Sequence, residues 1–240
     1  LPYFSGEEVN SEPRLQARRY AIYFGKASEQ EARQRWPELM DLLEHSVRPD
    51  RLTKGPRISG APWWQFLWPR PELRSRLRRV ERALVCSRVS KYLGFLFIPA
   101  DTLPSTRLAV ILREGYADFA TLQARPHEIW ALFFGSSLED RPIYTPSECF
   151  ETFPFPHADG KLGGLTQAGQ AYYEARAEVM ERNNEGLTKT YNRFHDPDEA
   201  SPEILYLRSL HDATDRAVLH AYSWTDLHPT CEFLLDYEDE

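Results

Sequence analysis

Five arginines fall between residues 74 and 82, Arg74, Arg76, Arg78, Arg79 and Arg82, and one acid, Glu81, lies among them. Guanidinium groups at that density suit phosphate oxygens, which they can grip through paired N–H donors. The alternative is a solvated helical face whose cations are balanced by acids elsewhere. Arg74, Arg78 and Arg82 are the phosphate candidates of this run, and Arg57, Lys189 and Arg193 are further ones. A second set, Arg88, Ser90 and Lys91, has a different vocabulary. Arg or Lys can donate to guanine O6 and N7, and Ser can serve either base, so these residues are candidates for reading base edges in a duplex. A purely structural salt bridge at Arg88 is the competing reading.

Catalytic constellations are not found. The histidines at 45, 127, 157, 195, 211, 220 and 228 form no i,i+4 pair and no H-E-x-x-H. A metal-dependent nuclease needs two carboxylates and a lysine close together, but Pro49-Asp50 is far in sequence from Asp159-Gly160-Lys161. No G-x-G-x-x-G turn is present to cradle a dinucleotide. Cys86, Cys149 and Cys231 are odd in number and lack C-x-x-C spacing, so neither a disulfide framework nor a zinc site is expected, and a reducing cytoplasm is the natural setting. No apolar run approaches the ~20 residues that cross a bilayer. No site is expected for a catalytic group, a cofactor or a metal.

The net charge of −7 conceals an asymmetry: residues 1–91 hold 18 Lys+Arg against 11 Asp+Glu, and residues 92–240 hold 11 against 25. The first part is thus suited to an anionic partner and the rest to water or protein.

Three stretches must position these residues. Ser28 precedes Glu29 and Glu31, and Trp36, Leu39, Met40 and Leu43 follow at helical spacing, which predicts one capped helix over 29–45. The Pro- and Gly-punctuated run 48–62 reads as a loop, and Pro71 as the first turn of a helix over 71–84. Strands are expected at 85–89, 92–98 and 107–112, helices at 116–122 and 126–134, and an extended segment at 144–156. Beyond it, Thr166 predicts the cap of a helix to about Asn184 with Gly186 as its stop, the segment 189–195 reads as a connector, and Ser201-Pro202-Glu203 opens a helix to about Trp224. Leu207, Leu210, Thr214, Ala217 and Ala221 form its inward stripe, and the acidic tail 236–240 should fray.

Several motifs resemble the C-terminal half of MmeI-like fused restriction-modification methyltransferases. They include Pro2-Tyr3-Phe4-Ser5-Gly6-Glu7-Glu8-Val9-Asn10, Trp63-Trp64, Arg70-Pro71-Glu72-Leu73, Cys86-Ser87-Arg88-Val89-Ser90-Lys91, Tyr144-Thr145 and Cys149-Phe150-Glu151-Thr152-Phe153-Pro154-Phe155-Pro156. Gly186-Leu187-Thr188-Lys189-Thr190-Tyr191-Asn192-Arg193-Phe194-His195 extends the likeness into the last third of the chain. The resemblance implies an α+β fold: a mixed, mainly antiparallel sheet with flanking helices as a target-recognition domain over 1–156, then a small all-helical domain over 157–240. It implies double-stranded DNA as partner, with an upstream methylase domain of the same polypeptide that binds S-adenosylmethionine and methylates adenine N6. Leu1, with no initiator Met, is read as the start of an interior segment. The family's Asn/Asp-Pro-Pro-aromatic motif would lie upstream, since this sequence has no Pro-Pro dipeptide. A helical protein-interaction module of a phage-defence complex is the alternative. Phe150, Phe153 and Phe155 are expected to pack rather than stack on bases, and Trp63, Trp64 and Trp68 could do either.

Overall fold

Local signals set the first elements of the computed structural model, which describes residues 1–138, 141–156 and 162–227. Strand β1 (Pro2–Phe4) leads into helix α1 (Gly6–Ser11), whose N-cap Ser5 and Glu8 form a reciprocal capping box, and β2 (Arg19–Tyr20) follows. Ser28 and Glu31 cap α2 (Glu29–Arg35) in the same way. The helix expected over 29–45 is two helices, because Pro37 has no N–H to continue the ladder: the chain turns at Trp36 and restarts as α3 (Pro37–Ser46). Within the expected loop lie two short helices, α4 (Arg48–Leu52) and α5 (Pro56–Ser59), each with Pro in its first turn. These helices close over a small separate core of Phe24, Ala32 and Met40, with Trp36, Trp63 and Trp64 packed against it.

Helix α6 (Pro71–Leu77) stops well short of residue 84, and the chain becomes β3 (Arg82–Ser87). Tertiary pairing overrides the helical pattern here, because β3 is the middle strand of a sheet and is buried from Ala83 onward. It pairs antiparallel with β4 (Leu96–Pro99) and, past the short β5 (Leu103–Pro104), with β6 (Leu108–Ile111). A second sheet has β1 between antiparallel β2 and parallel β5. Helices α7 (Tyr116–Gln123) and α8 (Arg125–Phe134) are followed by the hairpin β7 (Ser136–Leu138) and β8 (Arg141–Ile143), and the segment expected to be extended contains α9 (Pro146–Cys149).

Helix α10 (Leu162–Asn183) begins before Thr166, which lies inside it. Leu165 is buried with Ala120, Ala124, Val218 and Ala221, so packing draws the first turn into the helix despite Gly163 and Gly164. Asn184, at φ 52, takes the left-handed position that ends α10. Gly186 instead caps α11 (Leu187–Phe194), the segment expected as a connector, and a Cβ there would lie 2.4 Å from the Ser11 backbone. Helix α12 (Pro202–Ala221) follows, with Leu207, Thr214 and Ala221 buried as expected and Leu210 packed against the core. The helices share the sheet's core: Tyr172, Met180, Leu187, Tyr191, Phe194 and Leu207 join Leu84, Val85, Phe95 and Leu96 in one apolar cluster. The result is the expected α+β arrangement of small mixed sheets, flanking helices and a helical C-terminal part.

No helix is long and apolar enough to cross a membrane, and no group of His, Cys, Asp and Glu could hold a metal, among the described residues. Cys86 and Cys149 are buried free thiols, and burial pushes that of Cys86 well up. The readings placed on Asp159-Gly160-Lys161, His157, His228, Cys231 and the tail 236–240 lie outside the described residues.

Candidate functional site

Beyond Ser87 the chain stays paired with its neighbours for two more residues. The Arg88 N–H donates to the Arg107 carbonyl at 2.8 Å, the Tyr144 N–H donates to the Arg88 carbonyl at 2.7 Å, and Val89 bridges to Ile143 in the β7–β8 hairpin. Arg88 is therefore held on both flanks, with its backbone polar groups satisfied, while its side chain is half-buried at the wall of a cleft of about 910 Å³. Arg19, Arg107, Arg141, Asn10 and Thr106 line the same cleft, with Glu7 the one carboxylate among the described residues there.

The floor is rigid. Asn10 donates to the Ser87 hydroxyl at 2.9 Å, and Arg19 donates to the Glu8 carboxylate at 2.7 and 2.8 Å. Burial alone would raise the pKa of Glu8, but hydrogen bonds from Arg19 and Ser5 outweigh it and hold the group at about 2. Its ionised form is thus a fixed anchor for Arg19 at neutral pH.

A second hollow of about 480 Å³ lies beyond Arg88 and Thr106, which form part of the wall between the two. Ser90 and Lys91 line a third and smaller hollow, together with Glu128, Leu132 and Pro142. Alternation along a continuous strand would turn Arg88 and Ser90 to the same face, but pairing ends with the Val89 bridge and the two residues line different hollows. Ser90 donates its hydroxyl to the Tyr92 carbonyl at 2.5 Å, so its proton is engaged within the loop. Lys91 is exposed over the Tyr92 ring, which stacks on His195 at 4.4 Å. Burial lowers the pKa of His195 to about 3, so that stack is neutral at physiological pH.

The phosphate candidates separate into two groups. Arg74 is buried beside Tyr23 and donates to the carbonyls of Ala100 and Thr102, which withdraws it from any outside partner. Arg82 lies 3.8 Å from the Phe97 ring centre and 4.6 Å from that of Tyr116, with its Nε donating to the Glu114 carbonyl. Arg193 is bound by Glu185, Glu199 and Glu203 and ties α11 to α12; the hydrogen bond to Glu199 is the main cause of its raised pKa. These three are structural cations. Arg57, Arg78 and Lys189 are exposed, and Arg57 sits over the exposed Trp68 at 5.2 Å. Arg19, Thr106, Arg107 and Arg141 escaped the sequence reading because they are scattered and only strand pairing gathers them. The one available signal was their place at the ends of short extended runs.

The aromatic motifs pack, except for the exposed Trp68. Phe153 is buried edge-on to His127 at 4.7 Å, Phe150 and Phe155 meet at 5.4 Å, and Trp64 donates to the Ala27 carbonyl at 2.9 Å.

The family model described as MmeI, target recognition domain, matches residues 2–157. Among solved structures, the type IIL restriction-modification enzyme MmeI in complex with DNA resembles the chain with a TM-score of 0.67 at 20% identity. The likeness covers 92% of this chain and 28% of that one, and at this identity it shows the fold. No curated protein matches the sequence.

Proposed function

The chain belongs to the MmeI target-recognition-domain family, and from that premise we propose that it recognises a short sequence in duplex DNA on behalf of a longer restriction-modification enzyme. Residues 1–156 carry the recognition surface and residues 157–240 support it. The observation that carries this reading is the cleft in which Arg19, Arg88, Arg107 and Arg141 converge with Asn10 and Thr106. Guanidinium, amide and hydroxyl groups in one concave surface have the donors and acceptors that base edges and phosphates present. Arg88 and Arg107 read bases, Lys91 adds charge at the edge of the reading loop, and Arg57, Arg78 and Lys189 contact phosphates.

Methyl transfer to adenine N6 takes place in an upstream domain of the same polypeptide, and the DNA is met in the cytoplasm. S-adenosylmethionine does not fit the cleft of this chain. The cofactor carries a sulfonium centre, and the one carboxylate among the described residues that line the cleft, Glu7, is already paired with Arg19 at 3.0 Å.

Fluorescence anisotropy with a labelled duplex tests the reading. We expect binding that weakens steeply as salt rises, because released counterions drive association, and no methyl transfer from labelled S-adenosylmethionine by these 240 residues. A chain that ignores duplex DNA at low salt would return the protein to the class of helical interaction modules. Turnover by the isolated chain would overturn the assignment of chemistry elsewhere.

A sharper test addresses Arg88. In the full-length protein Arg88→Ala should cost about 1–3 kcal/mol on the cognate site and relax the preference at one base pair. Sequencing of methylated sites from a strain carrying the variant checks this. An unaltered motif removes Arg88 from base reading.

A further inference from the structure

Arg70 is the only arginine among the four non-glycine residues with positive φ in the described chain, at φ 45 and ψ 58. This left-handed conformation is unfavourable for any residue with a Cβ, and glycine is the usual occupant. Its neighbours impose it. The Pro69 carbonyl accepts the Tyr23 hydroxyl at 2.5 Å, and Pro71 begins α6, so Arg70 must turn the chain between two anchored prolines. The residue is exposed, and neither a hydrogen bond nor an ion pair from its side chain is found among the described residues. An arginine at a position where glycine fits better, with no partner for its side chain among the described residues, points to a use for that side chain.

That side chain lines the second hollow, whose wall toward the recognition cleft includes Arg88 and Thr106. Thr145 and Ser147 also line this hollow, and Glu151 is the one carboxylate among the described residues there. The two hollows thus flank a ridge that carries Arg88. A ridge of side chains entering the major groove, about 12 Å wide, leaves a sugar-phosphate backbone on each side. We propose that Arg70 is the seat for a DNA phosphate on one of these flanking strands, with its guanidinium gripping the phosphate oxygens and the neighbouring hydroxyls donating to them. The inference rests on the DNA-recognition reading above and adds to it the docking of the ridge between two backbones. A planar guanidinium matches phosphate geometry bidentately, and such contacts fix register without carrying sequence information.

The test compares wild type, R70Q and R70G in the full 240-residue chain on mixed-sequence duplexes between about 50 and 200 mM salt. R70Q should reduce the slope of log affinity against log salt by about 0.9, so that its affinity falls about 3.5-fold less across that range, equally for every sequence tried. R70G should lose the same increment of slope while melting no lower than wild type, because glycine adopts the backbone angle freely. A purely structural residue would not uncouple binding from stability in this way. If R70Q keeps the wild-type slope, or R70G melts well below wild type, Arg70 is not a phosphate seat while the DNA reading stands. A wild-type chain that does not bind duplex removes both.

Discussion

A chain cut after Pro156 should fail to fold cooperatively, even though the resemblance divides the sequence there. Six side chains from the removed part, Tyr172, Met180, Leu187, Tyr191, Phe194 and Leu207, are buried in the same cluster as the central sheet. At about 1.5–3 kcal/mol for each large apolar side chain buried, their loss is comparable with the ~5–15 kcal/mol that stabilises an ordinary domain. Polar groups would be stranded as well. The Arg125 N–H donates to the Asp215 carboxylate at 2.8 Å, and the Phe95 carbonyl accepts from Arg176 at 2.6 Å. Glycine contacts show how tight the seam is: a Cβ on Gly169 would stand 2.3 Å from the Tyr116 carbonyl oxygen. We expect residues 1–156 to show no sigmoidal thermal transition by circular dichroism and to be digested rapidly by protease. A cooperative melt with a native near-ultraviolet spectrum would make the helical part dispensable for folding.

The largest expected effect of a single substitution is at Arg176. Its guanidinium is buried and donates to the Phe95 carbonyl, to Gln123 Oε1 at 3.2 Å and to the Tyr191 hydroxyl at 2.9 Å, while the rings of Phe119, Tyr172, Tyr173 and Tyr191 surround it within 5.2–5.9 Å. No carboxylate pairs with it among the described residues. Carbonyl oxygens, phenols and ring faces together take the place of a counterion. Arg176→Ala leaves a cavity and unsatisfied acceptors, and should destabilise the chain by about 3–5 kcal/mol. Arg176→Met restores much of the volume without the donors and should fall between alanine and wild type. Urea denaturation followed by tryptophan fluorescence measures the series. A loss below about 1 kcal/mol for alanine would mean that water replaces the guanidinium at little cost. Gln123 accepts from the Phe95 N–H at 3.0 Å and donates to the Leu93 carbonyl at 3.1 Å, so Arg176 and Gln123 together hold the segment that follows Arg88, Ser90 and Lys91.

The helical part thus braces the segment beside the cleft, although none of its described residues lines the cleft itself. Tyr92 links the two, stacking on His195 and donating to Asn192 Oδ1 at 3.1 Å. Changes in α11 can therefore move the loop that carries Lys91.

Signals confined to a few neighbouring residues were legible in the sequence. Ser28 and Glu31 meet three residues apart, Pro71 begins its helix because its missing N–H is not needed there, and apolar runs around Val85, Leu96 and Ala109 became the three strands of the central sheet. The family could also be read, because its motifs are short and contiguous. The arginines could not be sorted in the same way. Arg74, Arg78 and Arg82 look alike in sequence, yet one donates to carbonyls at 100 and 102, one is exposed, and one lies against the rings of Phe97 and Tyr116. Their partners are distant along the chain, and a guanidinium is equally able to serve a carbonyl, a ring or a phosphate. Ser90 parted from Arg88 because strand alternation holds only while both flanks are paired, and pairing ends at Val89. Composition and local spacing determined which chemical groups this protein has; the docking of sheet, hairpin and helices decided which of them face outward together, because burial and pairing are properties of surfaces brought together from distant parts of the chain.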